Sequence, residues 1–211
     1  MPAQHIRRPN MRPTEILKSE HRVIEQVLTC LDRIADEAKE SGSVPVKAAG
    51  DALRFLREFA DGCHHKKEED RLFPMLESRG MPKYGGPTDV MRTEHEQGRA
   101  LIRTMAQSLE SAGAGERAVV QSFVRAARDY VQLLRAHIQK EDHCLFAMAD
   151  NLLSLDDQDR LEEAFEAVER EQEKPCTHRH CLEIAANLVK QFGVSEAAIE
   201  SAAAQDRCCV H

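Results

Sequence analysis

The sequence has few aromatic residues, no tryptophan and no apolar run long enough to cross a membrane. Aromatic residues occupy 4% of the 211 positions, and Val, Ile and Thr never cluster in the alternating runs typical of strands. Helix-forming residues dominate instead, so we predict an all-α protein. Hydrophobic residues still make up 42% of the chain, which excludes a disordered protein.

Clustered positive charge is also lacking. The formal net charge is −7 and no basic stripe is present, so nucleic acid is not an expected partner. Neither a signal-peptide pattern nor a membrane-spanning stretch occurs, and we expect a cytoplasmic protein with no membrane partner. The seven cysteines are an odd number, and Cys30, Cys63 and Cys144 lie in helical patterns, which favours reduced thiols over a disulfide framework.

Turn-forming residues divide the chain into long amphipathic segments. Helices are predicted at about 14–40, with Thr14 as the N-cap, at about 46–79, from Thr88 to the turn at Gly113, and at about 116–153. Long helices joined by short loops predict an up-down-up-down four-helix bundle over residues 14–153. We expect a flexible N-terminal tail over residues 1–13 and a C-terminal helical extension with a Cys/His-containing tail over residues 154–211. The helices of this extension are expected to cover Phe55, Phe59 and Phe73.

One pattern of potential metal ligands occurs twice. His64 follows His21 by 43 residues, and His137 follows His95 by 42 residues. Each second histidine begins a His-x-x-x-Glu motif, which places a nitrogen and a carboxylate one turn apart on a helix face. Four imidazoles and two carboxylates in a duplicated helix pair indicate two bridged metal ions inside the bundle. The predicted metal ligands are His21, His64, Glu68, His95, His137 and Glu141.

Neighbouring residues offer other choices of ligand. Alignment of the two halves pairs His64 with His137, whereas the α-helical phase places His65 on a charged face, so we expect His65 to be exposed. The residues expected to be solvated in the same way are Glu69, Asp142 and His143. A single His-x-x-x-Glu pair is most often a surface pair. Six inward-facing residues in a duplicated set are hard to explain without a metal, because their burial alone costs several kcal/mol.

The donor types restrict the metal. Neutral imidazole with carboxylate suits Fe, Mn or Zn. On two octahedral irons, six protein ligands leave positions for an oxo or hydroxo bridge and for a small ligand. This pattern is typical of a reactive site rather than a closed structural one.

The motifs resemble the hemerythrin-like, or HHE cation-binding, domain. The resemblance covers about residues 14–153 and is specific because four motifs occur in order. The four motifs that carry it are residues 19–21, residues 64–70 with 72–74, residues 93–96, and residues 137–141 with 145–146. The resemblance implies a four-helix bundle with two non-haem Fe ions, held by the six residues named above and bridged by Glu68 and Glu141.

One position departs from the family pattern. Respiratory hemerythrins have a second histidine four residues after the histidine of helix 3, where this chain has Arg99. The four-His, two-Glu set is more similar to bacterial proteins that repair iron–sulfur clusters, and to the iron-sensing domain of a ubiquitin-ligase subunit. Reversible oxygen transport is therefore not the expected function.

Other candidate residues are weaker. Tyr130 and Cys144 lie seven residues either side of His137, and we take both as core residues rather than ligands. A Cys/His-rich set near the C-terminus is either a zinc site or a thiol-rich tail, and its spacing matches no strong zinc motif, which favours the tail. This set consists of Cys176, His178, His180, Cys181, Cys208, Cys209 and His211.

The predicted function is to bind or sense a small ligand, O₂ or NO, or iron, in an oxidative or nitrosative stress response. The alternatives are a di-iron enzyme that reduces peroxide or NO, a protein that repairs iron–sulfur clusters by delivering iron, and a bundle that holds metal for stability. No additional acid–base pair is evident, so no catalytic residue is assigned. The expected partner is a small diatomic molecule or peroxide, and the oligomeric state is not predicted.

Overall fold

A computed structural model describes residues 11–171 and 178–207, and every regular element within these ranges is helical. The all-α prediction is therefore confirmed for this part of the chain. The α-helices are α1 (Pro13–Ser41), α2 (Val46–Phe55), α3 (Phe73–Ser78), α4 (Pro87–Gly113), α5 (Arg117–Lys140), α6 (Phe146–Leu152), α7 (Leu155–Glu171), α8 (His178–Gln191) and α9 (Ala197–Arg207). The π-helical segments are π1 (Leu56–His65), π2 (Glu68–Leu72) and π3 (Glu141–Leu145).

Helix α1 begins at Pro13 and is followed by Gly42. A proline fits the first turn, where its missing N–H would have no helical partner. Gly42 adopts the left-handed conformation at φ 76°, and its N–H donates to the Ala38 carbonyl at 3.0 Å. The prediction that Thr14 is the N-cap is wrong, because Thr14 lies within the first turn. Its hydroxyl donates instead to Asp150 Oδ1 at 2.8 Å and ties α1 to α6.

The second predicted helix is one helical run of α2, π1, π2 and α3. π-Helical turns are rare and are frequently found at functional sites. Here π1 carries His64, π2 carries Glu68 and π3 carries Glu141. A π turn holds more residues than an α turn, so the side chains that follow it point in directions that the α-helical period does not predict.

The long helices pack side by side around a common core. Helix α1 contacts α2 and α5, and α4 contacts α2 and α5. The core between them is apolar and includes Leu31, Phe55 and Phe123, all fully buried. Gly98 allows α4 to approach α5 closely, because a Cβ at this position would lie 3.3 Å from Tyr130 Cε2.

The C-terminal extension starts with a capping box. The backbone N–H of Ser154 donates to Asp157 Oδ2, and the backbone N–H of Asp157 donates to Ser154 Oγ, each at 3.2 Å. Arg79 also donates two hydrogen bonds to the Asp157 carboxylate, at 2.5 and 2.9 Å. The start of α7 is therefore held both by its own first turn and by the end of α3.

The extension covers the phenylalanines as expected. Phe55 and Phe59 stack with ring centroids 4.8 Å apart, and Phe59 meets the ring of His178 in α8 at 5.0 Å. Phe73 lies in a second buried cluster together with Leu161 and Phe165 of α7. Within the described ranges, no helix has both the length and the apolar character needed to cross a membrane.

The described cysteines form no disulfide. Cys30 and Cys63 are buried on α1 and π1, whereas Cys144 is exposed on π3. The expectation that Cys144 is a core residue is wrong. The π turn that begins at Glu141 accounts for this, since it changes the direction in which the following side chains point.

Candidate metal centre

All six predicted ligands lie together in the interior. They come from every long helical run, with His21 on α1, His95 on α4 and His137 on α5. The remaining three sit on the π-helical segments. All six are at most 1% exposed: His21, His64, Glu68, His95, His137 and Glu141.

The potential ligand atoms form two overlapping groups, each within 4.8 Å. The first group is His21, His64, Glu68 and Glu141, and the second is His65, Glu68, His95 and His137. Glu68 belongs to both groups. The two groups are therefore adjacent sets of donors that could each hold a metal ion and that share one carboxylate.

Both carboxylates lie between the imidazoles of the two groups. Glu68 Oε1 is 3.6 Å from His64 Nε2, and Glu68 Oε2 is 3.5 Å from His95 Nε2. Glu141 Oε2 is 3.2 Å from the Nε2 atoms of both His21 and His137. A carboxylate placed in this way can offer oxygen to either metal position.

Six of the buried donor atoms at the centre lack hydrogen-bond partners. They are Nε2 of His21 and of His64, and both carboxylate oxygens of Glu68 and of Glu141. Unpaired buried polar atoms are rare, because each has lost its hydrogen bonds to water without a replacement, and this loss costs free energy. Burial, and then the charge of Glu141, raises the pKa of Glu68 well above its usual value. Metal ions would satisfy these lone pairs and offset this charge, so the residues fit a metal centre.

Each imidazole is held from outside by a second carboxylate. A carboxylate can only accept, so each Nδ1 carries the proton and Nε2 keeps its lone pair for the centre. The pairs formed through Nδ1 are His21–Asp142 at 2.7 Å, His64–Glu20 at 2.9 Å, His65–Asp61 at 3.3 Å, His95–Glu69 at 2.6 Å and His137–Glu94 at 2.9 Å.

These outer carboxylates are in turn paired with cations. Arg99 serves two of them, since its Nε donates to Asp61 and its second terminal nitrogen donates to Glu69, both at 2.8 Å. The other pairs are Arg22–Asp142, Lys67–Glu20 and Lys140–Glu94. The outer charges are largely balanced within the protein, whereas no lysine or arginine of the described residues pairs with Glu68 or Glu141.

The prediction that His65 is exposed is wrong. Its exposed fraction is 5%, and its ring stacks on that of His95 with centroids 3.8 Å apart. The α-helical period misplaced it because it ends π1, where the helical phase has shifted. Glu69 and Asp142 are not simply solvated either, since they are partly buried and hold His95 and His21.

The other sequence-based candidates have different outcomes. His143 is exposed, as predicted. Tyr130 is 1% exposed and packs on Gly98 in the apolar core, and burial raises the pKa of its hydroxyl above its usual value. Cys181 is buried in α8. His178 and His180 also lie on α8, whereas Cys176, Cys208, Cys209 and His211 lie outside the described residues.

A third group of potential ligands is Glu20, Cys63 and His178. The ammonium of Lys67 already pairs with Glu20 there and donates to Glu169 at 2.6 Å. A lysine in this position supplies the positive charge that a metal would otherwise bring. Within this group, Glu20 therefore serves as the outer support of His64.

The outer residues follow the same duplication as the ligands, a signal that sequence reasoning overlooked. Glu20 and Glu94 each directly precede a predicted ligand histidine. Lys67 and Lys140 each lie three residues after the first histidine of a His-x-x-x-Glu motif. The repeated unit is therefore Glu-His, a long gap, then His-x-x-Lys-Glu followed by an acidic residue. His65 is the exception, because the second half has Ile138 at that position.

Comparison with known proteins agrees with this geometry. The model of the hemerythrin HHE cation-binding domain family matches residues 12–149. An uncharacterized protein of Mycobacterium tuberculosis is 23% identical over 186 residues, which cover 88% of this chain and 72% of that protein. An uncharacterized protein of Mycobacterium bovis matches with the same identity and coverage. No solved structure matches the chain significantly.

Proposed function

Because this chain belongs to the hemerythrin HHE cation-binding family, we propose that it is a non-haem di-iron protein that binds or senses a small ligand, O₂ or NO, or iron. Its setting would be an oxidative or nitrosative stress response. In this proposal the carboxylates of Glu68 and Glu141, together with an oxo or hydroxo bridge, would hold the two Fe ions as a pair. The ligands in this proposal are His21, His64, Glu68, His95, His137 and Glu141.

One observation carries the proposal. Glu68 directs one oxygen towards each half of a buried imidazole cluster, and neither oxygen has a hydrogen-bond partner. A buried carboxylate between two sets of nitrogen donors supports a pair of bridged ions better than a single ion. Imidazole and carboxylate donors together are compatible with iron.

The surroundings favour ligand binding over multistep catalysis. When bound, the irons supply redox-active positions at which a small molecule is held. The chain encloses these positions with side chains that are almost fully buried, so access is restricted to small molecules. Each outer carboxylate is already engaged by an imidazole and a cation, which leaves it poorly suited to act as a general acid or base.

Two finer features belong to the same proposal. We propose that the four long helical runs alternate up-down-up-down, which the pairing of α1 and α4 with both α2 and α5 supports. We also propose a cytoplasmic location. Cys30, Cys63 and Cys144 form no disulfide, which is compatible with a reducing compartment.

Metal analysis with absorption spectra tests the function. We expect two irons per chain, ferric bands typical of a bridged pair in air, and a stable, reversible adduct when the reduced protein meets NO. The variant His137→Ala should lose at least one iron, whereas His143→Ala, which changes an exposed imidazole, should keep both. Two bound zinc ions with no visible absorption would overturn the iron proposal. Rapid turnover of peroxide or NO, in place of a stable adduct, would favour the enzyme alternative.

A further inference from the structure

We propose that His65 is a seventh protein ligand of the di-iron centre and that Arg99 is the positioning residue that supports it. This inference rests on the proposed function and assigns a role to two residues outside the six-ligand set. It gives one metal position three imidazoles and the other position two.

The position of His65 is that of a ligand. One of its ring nitrogens lies within 4.8 Å of the ligand atoms of Glu68, His95 and His137. Its ring stacks on His95 at 3.8 Å and meets His137 at 5.9 Å between centroids. The imidazole therefore adds a third nitrogen donor to the group at the second metal position.

The hydrogen bonding of His65 is also that of a ligand. Its Nδ1 faces Asp61 Oδ1 at 3.3 Å, which repeats the Nδ1–carboxylate contact made by each of the other four imidazoles. Such contacts fix the tautomer and the ring orientation of metal-bound histidines. With Nδ1 committed to Asp61, Nε2 is the nitrogen left for a metal.

Arg99 holds the carboxylates behind two neighbouring imidazoles. Its guanidinium donates to Asp61, which supports His65, and to Glu69, which supports His95. A planar guanidinium can hold two carboxylates in a fixed geometry, whereas the ammonium of a lysine acts as a point charge. Arg99 thus keeps both supports in place at the second metal position.

The role of His65 breaks the twofold pattern of the site. Its counterpart in the second half is Ile138, which offers no donor and lies in the apolar core. The asymmetry between the two metal positions therefore depends on one residue, and a substitution at His65 should affect one position more than the other.

Anaerobic titration of the metal-free protein with Fe²⁺ tests the inference. We expect wild type to bind two irons, with X-ray absorption consistent with five imidazoles per pair. His65→Ala should bind its second iron at least about 10-fold more weakly and show one imidazole fewer. His143→Ala is the matched control, since it removes an exposed imidazole from a π-helical segment and should leave affinity and imidazole count unchanged.

Further variants separate the possible outcomes. Arg99→Lys keeps the positive charge but loses the planar guanidinium that holds two carboxylates. This variant should bind the second iron about 10-fold more weakly, or weaker still. If far-UV circular dichroism shows that His65→Ala does not fold, the variant Asp61→Asn is measured in its place. An iron affinity of Asp61→Asn equal to that of wild type would overturn the inference. If wild type and His65→Ala bind two irons equally, the inference is overturned while the proposed function stands. If wild type binds no iron, both are overturned.

Discussion

Lys67 offers a sharp test of how buried charges are balanced in the interior of this protein. Its side chain is fully buried, and its ammonium pairs with Glu20, which is 5% exposed, and with the more exposed Glu169. The variant Lys67→Met keeps most of the volume and removes the charge. Glu20 would then remain as a buried carboxylate without its cation, while Glu169 can turn towards water.

The expected loss follows from this difference in burial. Breaking one side of a buried ion pair costs about 3–5 kcal/mol, because the remaining charge is left uncompensated. For a chain of this size, each kcal/mol corresponds to about 2–4 °C, so the midpoint of thermal unfolding should fall by about 6–20 °C. Replacing both partners, as Lys67→Met with Glu20→Gln, leaves no buried charge in the pair and should recover at least about 1 kcal/mol.

Thermal and urea unfolding of the metal-free proteins, followed by circular dichroism, measures these differences. Lys47→Met is the matched control. Lys47 also pairs with an acidic residue, Asp51, but its side chain is 91% exposed, so its loss should cost no more than about 0.5 kcal/mol. A Lys67→Met protein as stable as the control, or a double variant no better than the single one, would refute the reasoning.

Three further predictions concern other parts of the molecule. In the native protein a thiol reagent should modify the exposed Cys144 quickly, and Cys144→Ser should remove one fast thiol; Cys63, whose pKa burial raises to about 12, should react only on unfolding. Hydrogen bonds from Arg79 lower the pKa of Asp157, so this carboxylate stabilises the fold above its unfolded pKa of about 4. Urea unfolding should therefore show a deficit for Asp157→Asn at neutral pH that shrinks as the pH falls below about 4, whereas a constant deficit would contradict the assignment. Gly98→Leu should lose about 1–3 kcal/mol in thermal unfolding because it crowds Tyr130. Gly50→Ala, where a Cβ meets only Leu109 at 3.7 Å, should gain up to about 1 kcal/mol; equal effects would refute the packing argument.

The helices could be predicted well because their signals are local. Apolar periodicity and breakers such as Gly42 and Gly113 fix where the helices lie to within a few residues. The N-cap of α1 was missed because Pro13 begins the helix without a side-chain cap, which leaves Thr14 to bond across the bundle. This hydrogen bond of Thr14 could not be predicted locally, because its acceptor, Asp150, is distant in sequence.

The clustering of the six candidate ligands could be predicted from the repeat, but the carboxylates that support them could not be predicted from helix phase. His65 and Cys144 were misplaced for the same physical reason, since both lie on π-helical segments where the α-helical period fails. The carboxylates at positions 69 and 142 lie next to ligand residues and look like an acidic surface. Their role becomes visible only when tertiary packing brings His95 and His21 against them.

The charges around the site explain why folding and metal binding should be coupled. Four cations face the five outer carboxylates, and the imidazoles at the centre are neutral when they act as ligands, so the carboxylates of Glu68 and Glu141 are left for the metal ions to balance. Lys67 links the site to α7, because its ammonium pairs both with Glu20, which holds His64, and with Glu169 of α7. Movement of α7 would change how strongly Lys67 holds Glu20, and with it the support of His64. The C-terminal extension is therefore electrostatically connected to the residues that support His64. The substitution Glu169→Gln replaces this carboxylate with an amide. It should change the affinity for iron more than it changes the free energy of unfolding.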